Sequence, residues 1–484
     1  MRKFKKIVLL SLGTACLVSS LEADTPKQAL KSNYQVIYNL SAKNADSFSS
    51  MLSEGNFYGR LRSNNFFYQW ESESATQENH ITNGVGGSLV YKSASFADFD
   101  FTAGLYYSQG FTSVSQENAA NMKPGQDVLS RFLYTNTGTT ALGVVGQANV
   151  RYSGIEKSSI VLGRQIVETF YTKSNDTKMI PNTFDGLVFQ TSLFSDTSLK
   201  VAYLVEQKLR AHADSHSVLM YGDAAYSSSL KPAWDANDDS AMHKGLTYTN
   251  LVANDKRTDA PLIVLDAQNR SVKNLALDGS FYAVPDLISQ GMLEANYKFG
   301  VTKGLSITPG VRYIKQFDNG AGALGGAALD ATTIGYKNLD SLDAQMIAAR
   351  MVTTYENFKL NLGYTNVLDE ADLVTPWRGF PTAGYTRSMA RYNWVANTQS
   401  YRAELMINDN KSGVYKDVMM QLSILHTDAD EAKGQFDENY YYAGFVQNIP
   451  ALPTAQWRFR IGYQDTEKTD ADTLDTRLEL NYLF

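Results

Sequence analysis

The chain closes on Leu474-Asp475-Thr476-Arg477-Leu478-Glu479-Leu480-Asn481-Tyr482-Leu483-Phe484. Counting back from Phe484, every second residue is apolar or a short β-former: Tyr482, Leu480, Leu478, Thr476 and Leu474. Asp475, Arg477, Glu479 and Asn481 stand between them. A period of two predicts a strand with one apolar and one charged face. Leu483 breaks the parity, an apolar residue in the polar set. The terminal Phe carries a free carboxylate, which a soluble core would have to bury along with the ring.

The same alternation recurs upstream. Phe99, Phe101, Ala103, Leu105 and Tyr107 enclose Asp100, Thr102, Gly104 and Tyr106; Leu305, Ile307, Pro309, Val311 and Tyr313 enclose Ser306, Thr308, Gly310 and Arg312. Similar runs begin near Leu199, Leu293, Phe358, Tyr401, Val418 and Trp457, with weaker ones at 56–70, 81–91, 144–152, 158–165, 186–192, 343–353 and 439–447. The count is about 16 strands of roughly 8–12 residues, the length of a tilted strand that crosses a bilayer. Aromatic residues such as Tyr107, Tyr203, Phe299, Trp457 and Tyr482 end many apolar faces, where an interfacial girdle places them. No stretch reaches the ~18 consecutive apolar residues of a membrane-spanning helix.

Connections are uneven. Several are short, as at Val301 to Gly304, Glu356 to Asn357 and Asn410 to Tyr415, whereas 109–140, 208–280, 316–341 and 366–398 are long and polar. Short turns at one rim and long loops at the other are the pattern of outer-membrane barrels. Residues 208–280 are too long for a plain loop, and a hairpin hidden there lifts the count to 18. The fold expected is therefore all-β, a transmembrane antiparallel barrel of 16–18 strands, with 18 favoured.

Composition agrees. The 484 residues include 29 Tyr and 23 Phe but one Cys and 11 Pro, and the mean hydropathy of −0.29 is wrong for a helical membrane protein. Arg2, Lys3, Lys5 and Lys6 precede an apolar run from Ile7 to Ser19, and Ser19 to Ala23 fits a cleavage site, so residues 1–23 read as a signal peptide. Cys16 lacks a lipobox, since Gly13 stands where Leu is wanted. Cleavage would remove four of 44 Lys and Arg and one of 50 Asp and Glu, leaving 40 against 49, a net charge of −9 without cysteine. That excludes disulfide and thiol chemistry and gives no footprint for nucleic acid. In residues 24–54, Ala42, Ala45, Phe48, Met51 and Leu52 fall at helical spacing, so a helical or periplasmic segment is expected before a barrel over 55–484.

In a membrane barrel the apolar set faces lipid and the polar set lines a wet lumen, and barrels of 16–18 strands leave an aqueous channel. By parity Arg60, Arg62, Arg312, Arg402, Arg458, Arg460 and Arg477 face that lumen. Closure pairs the first strand with the last, which can set several on one wall. Guanidiniums in a row make a path for an anion or carboxylate; equally, they can neutralise lumen acids and brace the barrel.

Leu162-Gly163-Arg164-Gln165, followed by Ser174 to Phe189 (SNDTKMIPNTFDGLVF), resembles the OprD-like outer-membrane porins. In that family a strand ending in a Gly-Arg-Gln turn leads into an inward-folded third loop. An acid-x-basic-x-x-Pro-x-x-Phe-x-Gly segment follows, here Asp176, Lys178, Pro181, Phe184 and Gly186; Lys178 stands where Arg is common. The last strand, with Asp472, Arg477 and the terminal Phe, is also similar. The resemblance implies that the loop from Ile166 to Thr183 forms a constriction with Glu168, Asp176 and Lys178 as its charged members and Tyr171 close by. It also implies that Tyr482 and Phe484 are the signal read by the barrel assembly machinery.

The function expected is passive diffusion of small polar or carboxylate solutes across the bacterial outer membrane, among outer-membrane lipids, with no cofactor. Long loops, above all 208–280, used for adhesion are the alternative. An apolar face toward lipid and one toward a second copy read alike, so a monomer and a homotrimer both stay open. His212 and His216 stand four apart in AHADSHS, which reads as a polar surface loop rather than a metal site, and no P-loop, zinc-protease motif or nucleophile elbow occurs, so no enzyme is expected.

Overall fold

A computed structural model describes residues 27–31, 35–223, 225–226, 241–332, 334–408 and 418–484. The expected signal peptide and the Asn410 to Tyr415 turn lie outside the described residues. Two short strands, β1 (Gln28–Leu30) and β2 (Val36–Tyr38), pair with each other. A six-residue helix, Phe48–Ser53, follows, started by a reciprocal Ser47–Ser50 capping box.

The barrel begins with β3 (Asn56–Trp70), β4 (His80–Lys92), β5 (Phe99–Thr112) and β6 (Ala141–Tyr152). Next come β7 (Ser158–Gln165), β8 (Thr183–Thr191), β9 (Thr197–Lys208), β10 (Leu262–Asn269) and β11 (Leu275–Val284). Then follow β12 (Ile288–Tyr297), its continuation β13 (Phe299–Thr302), β14 (Leu305–Asp318), β15 (Ala344–Tyr355) and β16 (Phe358–Val367). The last are β17 (Thr398–Ile407), β18 (Val418–Asp428), β19 (Glu438–Ile449), β20 (Leu452–Thr466) and β21 (Thr473–Leu483). Since β12 and β13 both pair with β14 and count as one strand, the closed ring has 18 strands. The two beyond the plainly alternating set are β10 and β11, the hairpin expected within 208–280 except that β11 runs on to Val284.

β21 closes against β3, from Thr473 opposite Trp70 to Leu483 opposite Arg60. Phe484 extends the ladder, exchanging backbone bonds of 2.9 and 3.0 Å with Gly59. A Cβ at Gly59 would collide with the Phe484 ring, so the close seat of the terminal residue requires glycine there. Leu480, Tyr482 and Phe484 are exposed on the outside; Asp475, Arg477, Glu479 and Asn481 are buried inside. Leu483 obeys the same alternation, buried on the inner face at the rim. Its polarity departs from the pattern; its direction does not. On β3, likewise, Leu61 and Phe67 face out while Arg60, Arg62 and Asn64 face in. An apolar exterior around a charged interior is the inverse of a soluble fold, and suits lipid.

Every described turn at the rim that carries the C-terminus is short: 93–98, 153–157, 192–196, 270–274, 303–304, 356–357 and 450–451. Left-handed residues tighten several, including Asp196, Asn274, Gly304 and Glu356 (φ 52°, 66°, 87° and 51°). At the other rim stand the long connections, among them 113–140, 209–261, 319–343 and 368–397. These turn inward. Val218, Leu246, Leu251, Trp377 and Trp394 share one buried apolar cluster with strand residues such as Tyr282 and Met346. Trp377 Nε1 donates to the Val218 carbonyl at 2.6 Å, and Tyr282 Oη to that of Val374 at 2.6 Å. The stretch holding His212 and His216, expected on the surface, is buried as well, because this cluster draws the root of the loop into the barrel.

Asp372 ties three loop segments together, accepting from Leu329 N (2.9 Å), Ala396 N (2.8 Å) and Tyr336 Oη (2.7 Å). Burial pushes its carboxyl up from 3.8 to about 6. A folded value above the unfolded one means that the docked loops gain stability as the pH falls. That contribution is complete below 3.8 and is lost as the pH rises through about 6. Hydrogen exchange at Leu329 and Ala396, corrected for intrinsic rates, should therefore slow between pH 7 and 5, and Asp372→Asn should flatten the dependence.

Candidate functional site

The third inward loop, residues 166–182, begins where the wall itself bends. Gly163 and Gly186 face each other across β7 and β8, and a Cβ at either would meet a neighbouring strand's carbonyl. Gly163 has a φ of 115°, and the register shifts at Gly186. Beside them Arg164 grips Asp185 with two bonds of 2.8 Å. The loop then closes on itself: Glu168 accepts from the Ser174 amide (2.9 Å) and hydroxyl (2.5 Å), and Lys200 Nζ holds the Glu168 carbonyl at 2.7 Å.

Two contacts fix it across the lumen. Asp176 takes Arg60 Nη1 at 2.6 Å and also pairs with Arg62 Nη1, while Arg62 Nη2 reaches the Asp176 carbonyl at 3.2 Å. Farther along, Lys178 Nζ lies 4.0 Å over the Phe66 ring and 3.9 Å from Asp127, which Arg210 holds at 2.7 Å. Asp176 is thus in direct contact with the basic wall; no open gap separates acid from base at that point.

A second loop, 368–397, docks against the third. Gly379 N donates to Tyr171 O at 2.9 Å and Lys173 N to Trp377 O at 3.0 Å. Tyr171 is fully buried here, 4.7 Å from the Tyr282 ring. It packs the third loop and the second loop together.

Three cavities follow one another. The first, about 510 Å³ at the long-loop side, is lined by Lys123, Arg131, Lys178, Arg210, Lys244, Arg378, Arg387, Arg391, Arg460 and Arg477. Among the described residues, these ten cations face one lining acid, Asp127. Asp475 pairs with Arg477 (2.9 Å), Glu438 with Arg391 (3.1 Å) and Glu479 with Arg460, which leaves a large cationic excess. Lys123 is held below its usual range by burial and then by Arg131, Lys244 and Lys468. The second cavity, about 520 Å³, has balanced lining charge, with Glu168, Asp266, Asp278 and Glu294 against Lys173, Arg270, Arg312 and Arg378. The two share Asn175, Arg378 and Phe380, so they adjoin there. The third, about 290 Å³, shares Gln35, Glu168 and Ser174 with the second and includes Arg60 and Asp176.

Of the wall arginines, Arg60, Arg62, Arg458, Arg460 and Arg477 stand on three adjacent strands, with Arg460 opposite Arg477 and Arg458 opposite Glu479. Arg402 is apart on β17, paired with Glu404. Arg312 is apart on β14, bonded to Glu294 (2.7 Å) and to the carbonyls of Pro381 (2.7 Å) and Ala383 (2.8 Å), so it braces the second loop. Arg378 and Phe380 escaped the sequence reading. Their signal is Trp377-Arg378-Gly379-Phe380, an aromatic and cationic run inside a polar connection.

Asp176→Ala would strand two buried guanidiniums, a loss that costs about 3–5 kcal/mol when a buried pair is broken. The barrel ladder does not depend on that pair. In single-channel recordings the variant should keep its folded gel mobility but show noisier, larger conductance steps than the parent; identical traces would mean that the Asp176 contact does not hold the constriction.

No family model matches this sequence, and no curated protein does. Solved structures do. OccAB3 of Acinetobacter baumannii superposes with a TM-score of 0.66 at 15% identity, over 89% of this chain and 99% of that one. OccK9 (OpdG) of Pseudomonas aeruginosa gives 0.68 at 14%, over 90% and 99%. OpdK of the same organism, solved with vanillate, gives 0.64 at 13%, over 90% and 99%. At the level of fold, the chain's likeness is therefore to the OprD and Occ porins named by its motif.

Proposed function

We propose that this chain is a porin of the bacterial outer membrane, a water-filled passage for small polar solutes that favours anions and carboxylates. The observation that carries the reading is the succession of cavities inside the barrel, which opens through a vestibule lined, among the described residues, by ten cations and one acid. Fixed charge of one sign in a low-dielectric tube raises the local concentration of counter-ions and sets selectivity. A solute then meets Asn175, Arg378 and Phe380, where a guanidinium and a ring can engage a planar carboxylate. OpdK was solved with vanillate, a solute of that kind. Asp176, Arg60 and Arg62 position the third loop and so define the opening's width. Tyr482 and Phe484 are the proposed assembly signal; their rings stack at 6.1 Å and are exposed on the outside of the seam, which supports the reading. Adhesion gains little support from residues 209–261, since Val218, Leu246 and Leu251 among them pack into the barrel.

Planar-bilayer recording tests the proposal. In a KCl gradient the reversal potential should take the sign of chloride preference, and Arg378→Gln should lower that preference without abolishing the steps. A cation-selective parent, or one with no steps, contradicts it.

A further inference from the structure

The N-terminal sheet lies inside the barrel mouth, on the seam. Gln28 is buried, and its Nε2 donates to Gly59 O at 2.6 Å and to Phe484 O at 3.0 Å. Lys27 Nζ bonds Phe57 O at 2.7 Å. Gln456 Nε2 donates to Leu30 O at 3.1 Å, and Arg458 Nη2 to Lys31 O at 2.6 Å. On β2, Tyr38 meets Tyr58 edge-on at 4.6 Å, with Lys92 Nζ 4.7 Å over its ring. Gln35 lines both the second and third cavities. Downstream, two 2.7 Å backbone bonds join Lys43 and Ala45 to Ser95 in the β4–β5 turn, so the segment is fastened to the rim beyond its own sheet.

These contacts meet the arginine wall at its rim end. Arg458 has no exposed surface, and one oxygen it binds is a backbone carbonyl of the N-terminal segment. A carbonyl is the neutral analogue of a carboxylate oxygen, and a carboxylate can take a guanidinium by two parallel bonds where a carbonyl offers one oxygen. We propose that the β1–β2 sheet is an intraluminal strap, its carbonyls occupying the rim-side end of the arginine path in place of a passing anion, and that its displacement sets how readily solute leaves. The strap rests on the channel reading. It makes the N-terminal segment a lining element of the pore, with Gln35 and Tyr38 at the exit.

The test is single-channel recording of the full chain beside a form lacking residues 27–39, with residues 1–26 retained and barrel folding checked by heat-modifiable gel migration. The deletion should raise conductance by about 1.5-fold or more, as widening a pore's narrow segment does, and strengthen anion preference by uncovering Arg458. A folded deletion form with unchanged conductance and selectivity overturns the proposal. Should the deletion not fold, Gln28→Ala with Gln456→Ala decides: excursions to a higher level support the strap, and a trace like the parent's overturns it. A full chain without channel steps would overturn the channel reading itself, and the strap with it.

Discussion

Everything in this molecule depends on the backbone ladder between β21 and β3. In hydrocarbon an unpaired amide or carbonyl costs several kcal/mol, so a sheet survives there only as a closed ring. The ladder runs from Thr473–Trp70 to the Gly59–Phe484 exchange, and its last bond uses the last residue of the chain. With the edges gone, parity alone assigns each side chain to lipid or lumen. The same ladder brings Arg60 and Arg62 of the first barrel strand beside Arg458, Arg460 and Arg477 of the last two.

Charge inside the barrel serves two ends. Where a cation meets an acid at short range, as Arg60 and Arg62 meet Asp176 or Arg312 meets Glu294, the pair fixes a loop against a wall. Where cations outnumber acids among the described residues, in the vestibule, the pairing leaves a net positive field. Arg387 shows the cost of crowding: burial lowers it to about 10, and aromatic rings surround it, with Phe380 at 4.5 Å and Tyr392 at 5.2 Å. Such rings partly replace the lost hydration through cation–π attraction.

The terminal strand and most of the 18-strand ring were legible because period-two alternation is a local signal. β10 was harder to see for a physical reason. Leu262 and Val264 face inward like the charged residues of other strands, yet they meet the apolar loop cluster, so both faces of the strand are apolar and the alternation vanishes. The inward packing of the described parts of 209–261, and of 368–397, was hidden for a related reason: their apolar residues are scattered among polar ones, and only the barrel gives them a surface to share. The Asp176 contact spans 116 residues to Arg60, and no spacing rule reaches that far.

Along each barrel strand, a step of one residue crosses from the wet lumen to the lipid face. Single cysteines test it directly, since the chain's one native Cys is Cys16. Tyr68 faces the cationic vestibule and Leu480 lies on the outer face. In membranes, Tyr68→Cys should react with a charged, membrane-impermeant thiol reagent, faster with an anionic form than a cationic one, and conductance should fall on labelling; Leu480→Cys should stay unreacted. Labelling of Leu480→Cys with Tyr68→Cys silent would contradict the barrel's inside-out arrangement and the channel with it.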